Sequence, residues 1–168
     1  MASSSQSGIQ PDSQSDSQFD SPSDSQFGSP SDHDLSRFVD AQAGVYDTVL
    51  DELRDGRKRS HWIWFVFPQI AGLGRSDMAR HYAITSIDEA SAYLAHELLG
   101  PRLLECTRLV NGIEGRTVGQ IFGSPDDMKF HSSMTLFDQV PAASPEFSAA
   151  LAKYFAGSKD EATLAILR

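Results

Sequence analysis

Two short stretches of the chain carry side chains able to do chemistry. The first is Lys129-Phe130-His131-Ser132-Ser133-Met134-Thr135. On a helix Lys129 lies over Ser132 and Ser133, three and four residues on, while Phe130, Met134 and Phe137 share another face. A lysine beside two serines can lower the proton affinity of one and make it a nucleophile, or the group can hold a phosphate. The competing use of hydroxyls in mid-helix is to bond backbone carbonyls. The second stretch is Ser60-His61-Trp62-Ile63-Trp64-Phe65-Val66-Phe67-Pro68-Gln69-Ile70-Ala71-Gly72-Leu73-Gly74-Arg75-Ser76, which holds both tryptophans of the chain. Its second half offers anion chemistry: flexible amides at Gly72 and Gly74, the Arg75 guanidinium, and Ser76 as the cap of a helix running to Ile84. Trp62, Trp64 and Tyr82 supply ring faces on which a ligand could stack, and Gln69 adds an amide.

Other chemistries fit poorly. His61, His81, His96 and His131 form no His-Glu-x-x-His pattern and have no cysteine pair beside them, so no metal and no cofactor is expected. His61 and His131 stand inside the dense motifs and are the histidines that could move a proton. The Gly72-x-Gly74 turn fails as a dinucleotide fingerprint: Asp77 stands where the third glycine belongs, Pro68 to Ala71 intervene, and no repeated β-α pattern follows.

The elements that must position these residues read as helices. Leu35, Phe38, Val39, Val45, Tyr46, Val49, Leu50 and Leu53 step at three and four, predicting one helix from an Asp34 cap to a stop at Gly56. Arg57-Lys58-Arg59 follows as a solvated helix end or, alternatively, an anion clamp. A short helix is expected from a Ser60 cap to Pro68. Ser86 to Glu89 has the form of a capping box, and Gly100-Pro101 reads as the stop of one helix and the start of the next. Thr117, Ser124-Pro125, Ser144-Pro145 and Asp160 mark further helix starts. The reading is all-α, with about six to eight short helices in a single compact domain over 34–168.

Residues 1–33 differ. They are rich in Ser, Asp, Gln, Gly and Pro and hold an octad repeat, SDSQFDSP then SDSQFGSP. Such a composition cannot bury enough apolar surface to offset its ordering entropy, so a disordered tail is expected. The net charge of −9 resides mostly there: residues 1–34 hold six of the 23 acids and none of the 14 bases. The remainder, 17 acids against 14 bases, lacks the basic stripe of a nucleic-acid binder. A lone cysteine, Cys106, fits a reducing compartment, and neither a signal peptide nor a membrane span is visible, which points to the cytoplasm.

The motifs together resemble one bacterial family. Leu35 to Gln42, Ser60-His61-Trp62 with Trp64-Phe65 and Phe67-Pro68-Gln69, Gly72-Leu73-Gly74 with Ser76, Tyr82-Ala83-Ile84, and Lys129-Phe130 with Ser132 to Phe137 are similar to an uncharacterised domain-of-unknown-function family that automated naming has sometimes called calpastatin. The resemblance spans roughly 35–167 and implies a compact, mainly α fold; it brings no catalytic residues. The functional reading is a helical domain for a small anionic or nucleotide-like ligand bound by Trp62, Trp64, Gln69, Gly72, Gly74, Arg75, Ser76, Tyr82, Lys129 and His131. Whether it is an enzyme stays open, with His61, Ser132 and Ser133 as the candidate catalytic groups. The alternative is a protein-interaction module without catalysis.

Overall fold

The helical stepping from Leu35 yields two helices rather than one. In the computed structural model, which describes residues 33–168, α1 (Ser36–Gln42) and α2 (Tyr46–Arg54) are separated at Gly44, whose φ of +80° no helix accepts. The apolar spacing runs on unbroken because both segments turn the same residues, Phe38, Val49 and Leu53, into one core. Leu35 rather than Asp34 occupies the cap position of α1.

With the eight that follow, the described residues hold ten helices, more than the six to eight expected, because the opening helix is split and several single-turn elements count separately. They are α3 (Ile63–Val66), α4 (Asp77–His81), α5 (Ile87–Ala95), α6 (Leu99–Asn111), α7 (Val118–Phe122), α8 (Asp126–Asp138), α9 (Pro145–Phe155) and α10 (Glu161–Leu167). No strand is present among the described residues; an isolated parallel bridge joins Ile70 to Ile84. The expected tail lies, apart from His33, outside the described residues.

Side-chain caps set half of the ten helix starts among the described residues. Ser76, Ser86, Thr117, Ser144 and Asp160 each accept a backbone N–H of the turn they open. Thr117 and Gln120 form the full reciprocal box. At Ser86 only half of it forms, because the Glu89 carboxylate turns to the N–H and hydroxyl of Thr85 (2.7 and 2.9 Å). The helix expected over 77–84 ends at His81.

Gly100 and Pro101 sit inside the first turn of α6 instead of between two helices. The glycine is there for closeness. A Cβ at this position would stand 2.1 Å from the Leu94 carbonyl oxygen, so α5 and α6 meet through bare backbone.

The domain is organised around α8. Phe130 and every residue from Ser132 to Phe137 are buried, and the helix packs against α3, α5, α7, α9 and α10. A helix covered on nearly all sides needs apolar or small residues all round, which is why Ser132, Ser133 and Thr135 stand among Phe130, Met134 and Phe137. Phe67, the residue after α3, meets Phe122 and Phe130 edge-on at 6.0 and 5.0 Å, joining the tryptophan segment to α7 and α8. No helix among the described residues is long and apolar enough to cross a membrane.

Candidate functional site

The tryptophan segment is held by a residue outside it. Glu52, on the inner edge of α2 and 5 % exposed, accepts the Arg59 N–H (2.7 Å), the Ser60 N–H (3.0 Å), the Ser60 hydroxyl (2.6 Å) and the Trp62 indole N–H (2.9 Å). Burial alone would raise its pKa. The hydrogen bonds outweigh that and take it down to about 2, so the carboxylate is ionised wherever the fold is intact above that pH. Ser60 is thereby spent on Glu52, and the cap position of α3 falls to Trp62, which makes no side-chain cap bond. Glu52 is missed by sequence reading. The signal was its place three after Val49 and beside Leu53, on the buried stripe of α2.

The two motifs meet at one point. Lys129 Nζ lies 5.1 Å from the Trp64 ring centre, and it also pairs with Asp126 at 3.4 Å. Asp126 in turn holds Lys58 at 2.7 Å, and Lys58 Nζ lies 5.2 Å from the Trp62 ring. Lys58, Asp126 and Lys129 thus form a charge relay along the tryptophan segment, two cations sharing one carboxylate. Within the same pair of packed helices two buried polar atoms have no hydrogen-bond partner: Trp64 Nε1 and Ser133 Oγ. Ser133 is fully buried and stands one helical turn beyond Lys129. A buried polar group without a partner is costly and therefore uncommon.

Other residues of the motifs have structural tasks. The His131 ring stacks on Phe155 at 3.9 Å and its Nε2 donates to the Ser158 carbonyl at 2.7 Å, fixing the turn after α9. The Ser132 hydroxyl reaches the Met128 carbonyl (3.1 Å) and the Asp160 carboxylate (3.0 Å), while the Thr135 hydroxyl accepts the Asp160 N–H at 2.9 Å. Both therefore seat the start of α10. Trp62 is 2 % exposed and closed off by Glu52, Phe67 and Lys58. Tyr82 packs on Phe38 and Phe65, and the Gln69 carbonyl accepts the Ile84 N–H at 2.8 Å.

His61 and Arg75 are exposed, and neither makes a hydrogen bond or ion pair with the described residues. Ser76 caps α4 through the Ala79 N–H at 3.1 Å. Gly74 is needed where α4 begins, since a Cβ there would meet Ala79 Cβ at 2.4 Å; Gly72 adopts φ +105° in the preceding turn, facing Ile166 of α10. No group of three or more His, Cys, Asp or Glu placed to hold a metal occurs among the described residues.

Comparison with known proteins gives the following. A family model described as a protein of unknown function, DUF1810, matches residues 32–167. Among solved structures, the crystal structure of the conserved hypothetical protein Rv1873 from Mycobacterium tuberculosis is similar, with 59% sequence identity and a TM-score of 0.79 over 80% of this chain and 96% of that one. No protein of curated function matches the chain.

Proposed function

Since the chain belongs to the DUF1810 family of proteins of unknown function, we propose from geometry alone that the domain binds a small anionic, nucleotide-like ligand against Trp64 and Lys129. One observation carries the reading: a lysine ammonium held over an indole whose own N–H is buried and unpaired, with the unpaired Ser133 hydroxyl one turn away on the same helix. Ring face, cation and hydrogen-bonding groups are what a flat ligand with a negative group requires. Arg75, exposed and unpaired among the described residues, is the second cation of this reading. No reaction is assigned to the site.

Trp64 is half-buried and Trp62 is buried, so a ligand at this position changes the fluorescence of one tryptophan more than the other. A panel of nucleotides and phosphorylated metabolites, read by tryptophan emission and thermal shift, is the test. A hit that is lost in both W64F and K129A supports the site. Equal responses from wild type and an R75A/K129A double variant across the whole panel would remove it.

A second reading, a protein-interaction module, draws on an apolar cleft of about 380 Å³ lined by Leu94, Leu104, Val140, Pro141 and Phe147. Its test is retention of partner binding by W64F and K129A together with loss on L104K.

A further inference from the structure

The basic run that follows α2 has a use that the Trp64–Lys129 reading does not touch. Arg57 and Lys58, with Arg116 from the loop before α7, wall a cleft of about 360 Å³ whose remaining lining is Gly119 to Gly123 of α7 and its end. No carboxylate lines it. Of the acids nearby, Asp126 is held by Lys58 and Lys129, Asp55 by Arg59 and Glu114 by Lys153, while Asp127, whose Oδ2 would stand 3.8 Å from a Cβ on Gly119, has no cation partner among the described residues.

The charges left over are two. Lys58 is neutralised by Asp126, whereas the guanidiniums of Arg57 and Arg116 are exposed and make no hydrogen bond or ion pair with the described residues. Complementing the α2 C-terminus explains one cation, not two lining one cleft. Arg116 is brought there by Gly56: with φ +75° and no Cβ, that turn lets the Arg116 side chain lie close, since a Cβ would stand 3.3 Å from its Nε. Arg116 also forms the wall of an adjoining cleft of about 440 Å³, lined by Leu53, Leu109 and Ile113 together with charged groups of both signs.

We infer that the cleft between Arg57 and Arg116 is an oxyanion site for a phosphorylated small molecule. Two planar guanidiniums match the roughly two negative charges of a phosphate monoester and can each bond it in bidentate fashion. The adjoining cleft, apolar on one side, receives the rest of the molecule. A small molecule is favoured over a nucleic acid because the cationic surface is local and the domain around it is acidic. The inference rests on Arg57 and Arg116, which the Trp64–Lys129 reading does not use; the two places are linked only through Asp126, which pairs with both Lys58 and Lys129.

The test is a titration of the full chain with inorganic phosphate and pyrophosphate at fixed ionic strength, followed by 1H–15N correlation spectra. Saturable shifts confined to the amides of Arg57, Arg116 and Gly119 to Gly123 are expected, with affinity falling at least about tenfold in R57A/R116A and unchanged in R80A. Both arginines are exposed, so the double variant should fold; its spectrum away from the cleft verifies this. Equal affinity in the double variant, or the same shifts produced by chloride, overturns the inference. So does binding seen with a single-stranded oligonucleotide and absent with pyrophosphate. Failure of K129A to affect these shifts is expected and leaves the two sites separable.

Discussion

The Trp62 indole N–H donates to Glu52 Oε1 over 2.9 Å, and that carboxylate also collects two backbone amides and the Ser60 hydroxyl. One buried anion thus ties α2 to the whole tryptophan segment. Replacing it with Gln leaves one acceptor oxygen and brings an NH2 toward donors, so E52Q should lose about 3 kcal/mol at pH 7 in denaturant unfolding. The pH dependence has a defined sign. The folded pKa of about 2 lies below the ordinary 4.5, so the contribution is complete above about pH 4.5 and drains away as pH falls toward 2. The gap between wild type and E52Q should therefore narrow over that window, and a gap constant down to pH 2.5 would refute this account.

The elements that end in local chemistry were legible in the sequence. The caps at Ser76, Thr117, Ser144 and Asp160 and the span of α8 follow from bonds between residues two to four apart. What escaped depends on tertiary contact: Gly44 splitting a continuous apolar pattern, Gly100 serving an interhelical approach, Ser60 surrendered to Glu52. The two motifs named for their chemistry do meet at Trp64 and Lys129. The sequence could not say that α8 is central, and that position is why Ser132 and His131 also tie α8 to the start of α10 and to the turn after α9. The Arg57–Arg116 cleft joins residues nearly sixty apart and has no linear signature.

Ser133 offers a trade between stability and binding. Its hydroxyl is fully buried and unpaired, so S133A relieves a desolvated polar group and should raise stability by about 1 kcal/mol. If the Trp64–Lys129 site is used, the same change weakens the ligand. A stabilised variant with undiminished ligand response would separate Ser133 from the site.

Gly100 reverses a general rule. Within a helix Gly→Ala ordinarily gains up to about 1 kcal/mol. Here the new methyl would sit 2.1 Å from the Leu94 carbonyl oxygen, backbone that cannot swing aside. G100A should unfold at least 3 kcal/mol more readily, by the overpacking argument, and a thermal midpoint at or above wild type would contradict the packing of α5 on α6.

Asp160 is both the cap of α10 and the anchor of that helix to α8. Its carboxylate takes the Thr163 N–H at 3.2 Å and the Thr163 hydroxyl at 2.5 Å, and Ser132 reaches it from α8. D160A should cost about 2 kcal/mol, the upper end for a cap, and the loss should be regional. Amide exchange in 161–167 should speed far more than exchange in α6, because α10 packs chiefly on α8. S132A removes one of the two hydrogen bonds between α8 and Asp160 and leaves the cap and the Thr135 bond, so it should reproduce part of the faster exchange at a smaller cost. Uniform acceleration across α6 and α10 in both variants would mean that α10 does not open on its own.

Cys106 tests the core from another side. Burial pushes its thiol up to about 12, with the Tyr46 hydroxyl 3.9 Å away as its neighbour. Thiolate is the species that alkylates, so the native protein at pH 8 should resist iodoacetamide for hours and react within minutes once unfolded in guanidinium. The protection should weaken in step with stability across the variants above. E52Q and G100A should label faster than wild type in proportion to their unfolding equilibria if labelling requires global opening. Labelling that is rapid in the native wild type, or indifferent to those substitutions, would place Cys106 in a locally mobile part of α6 and not in the common core.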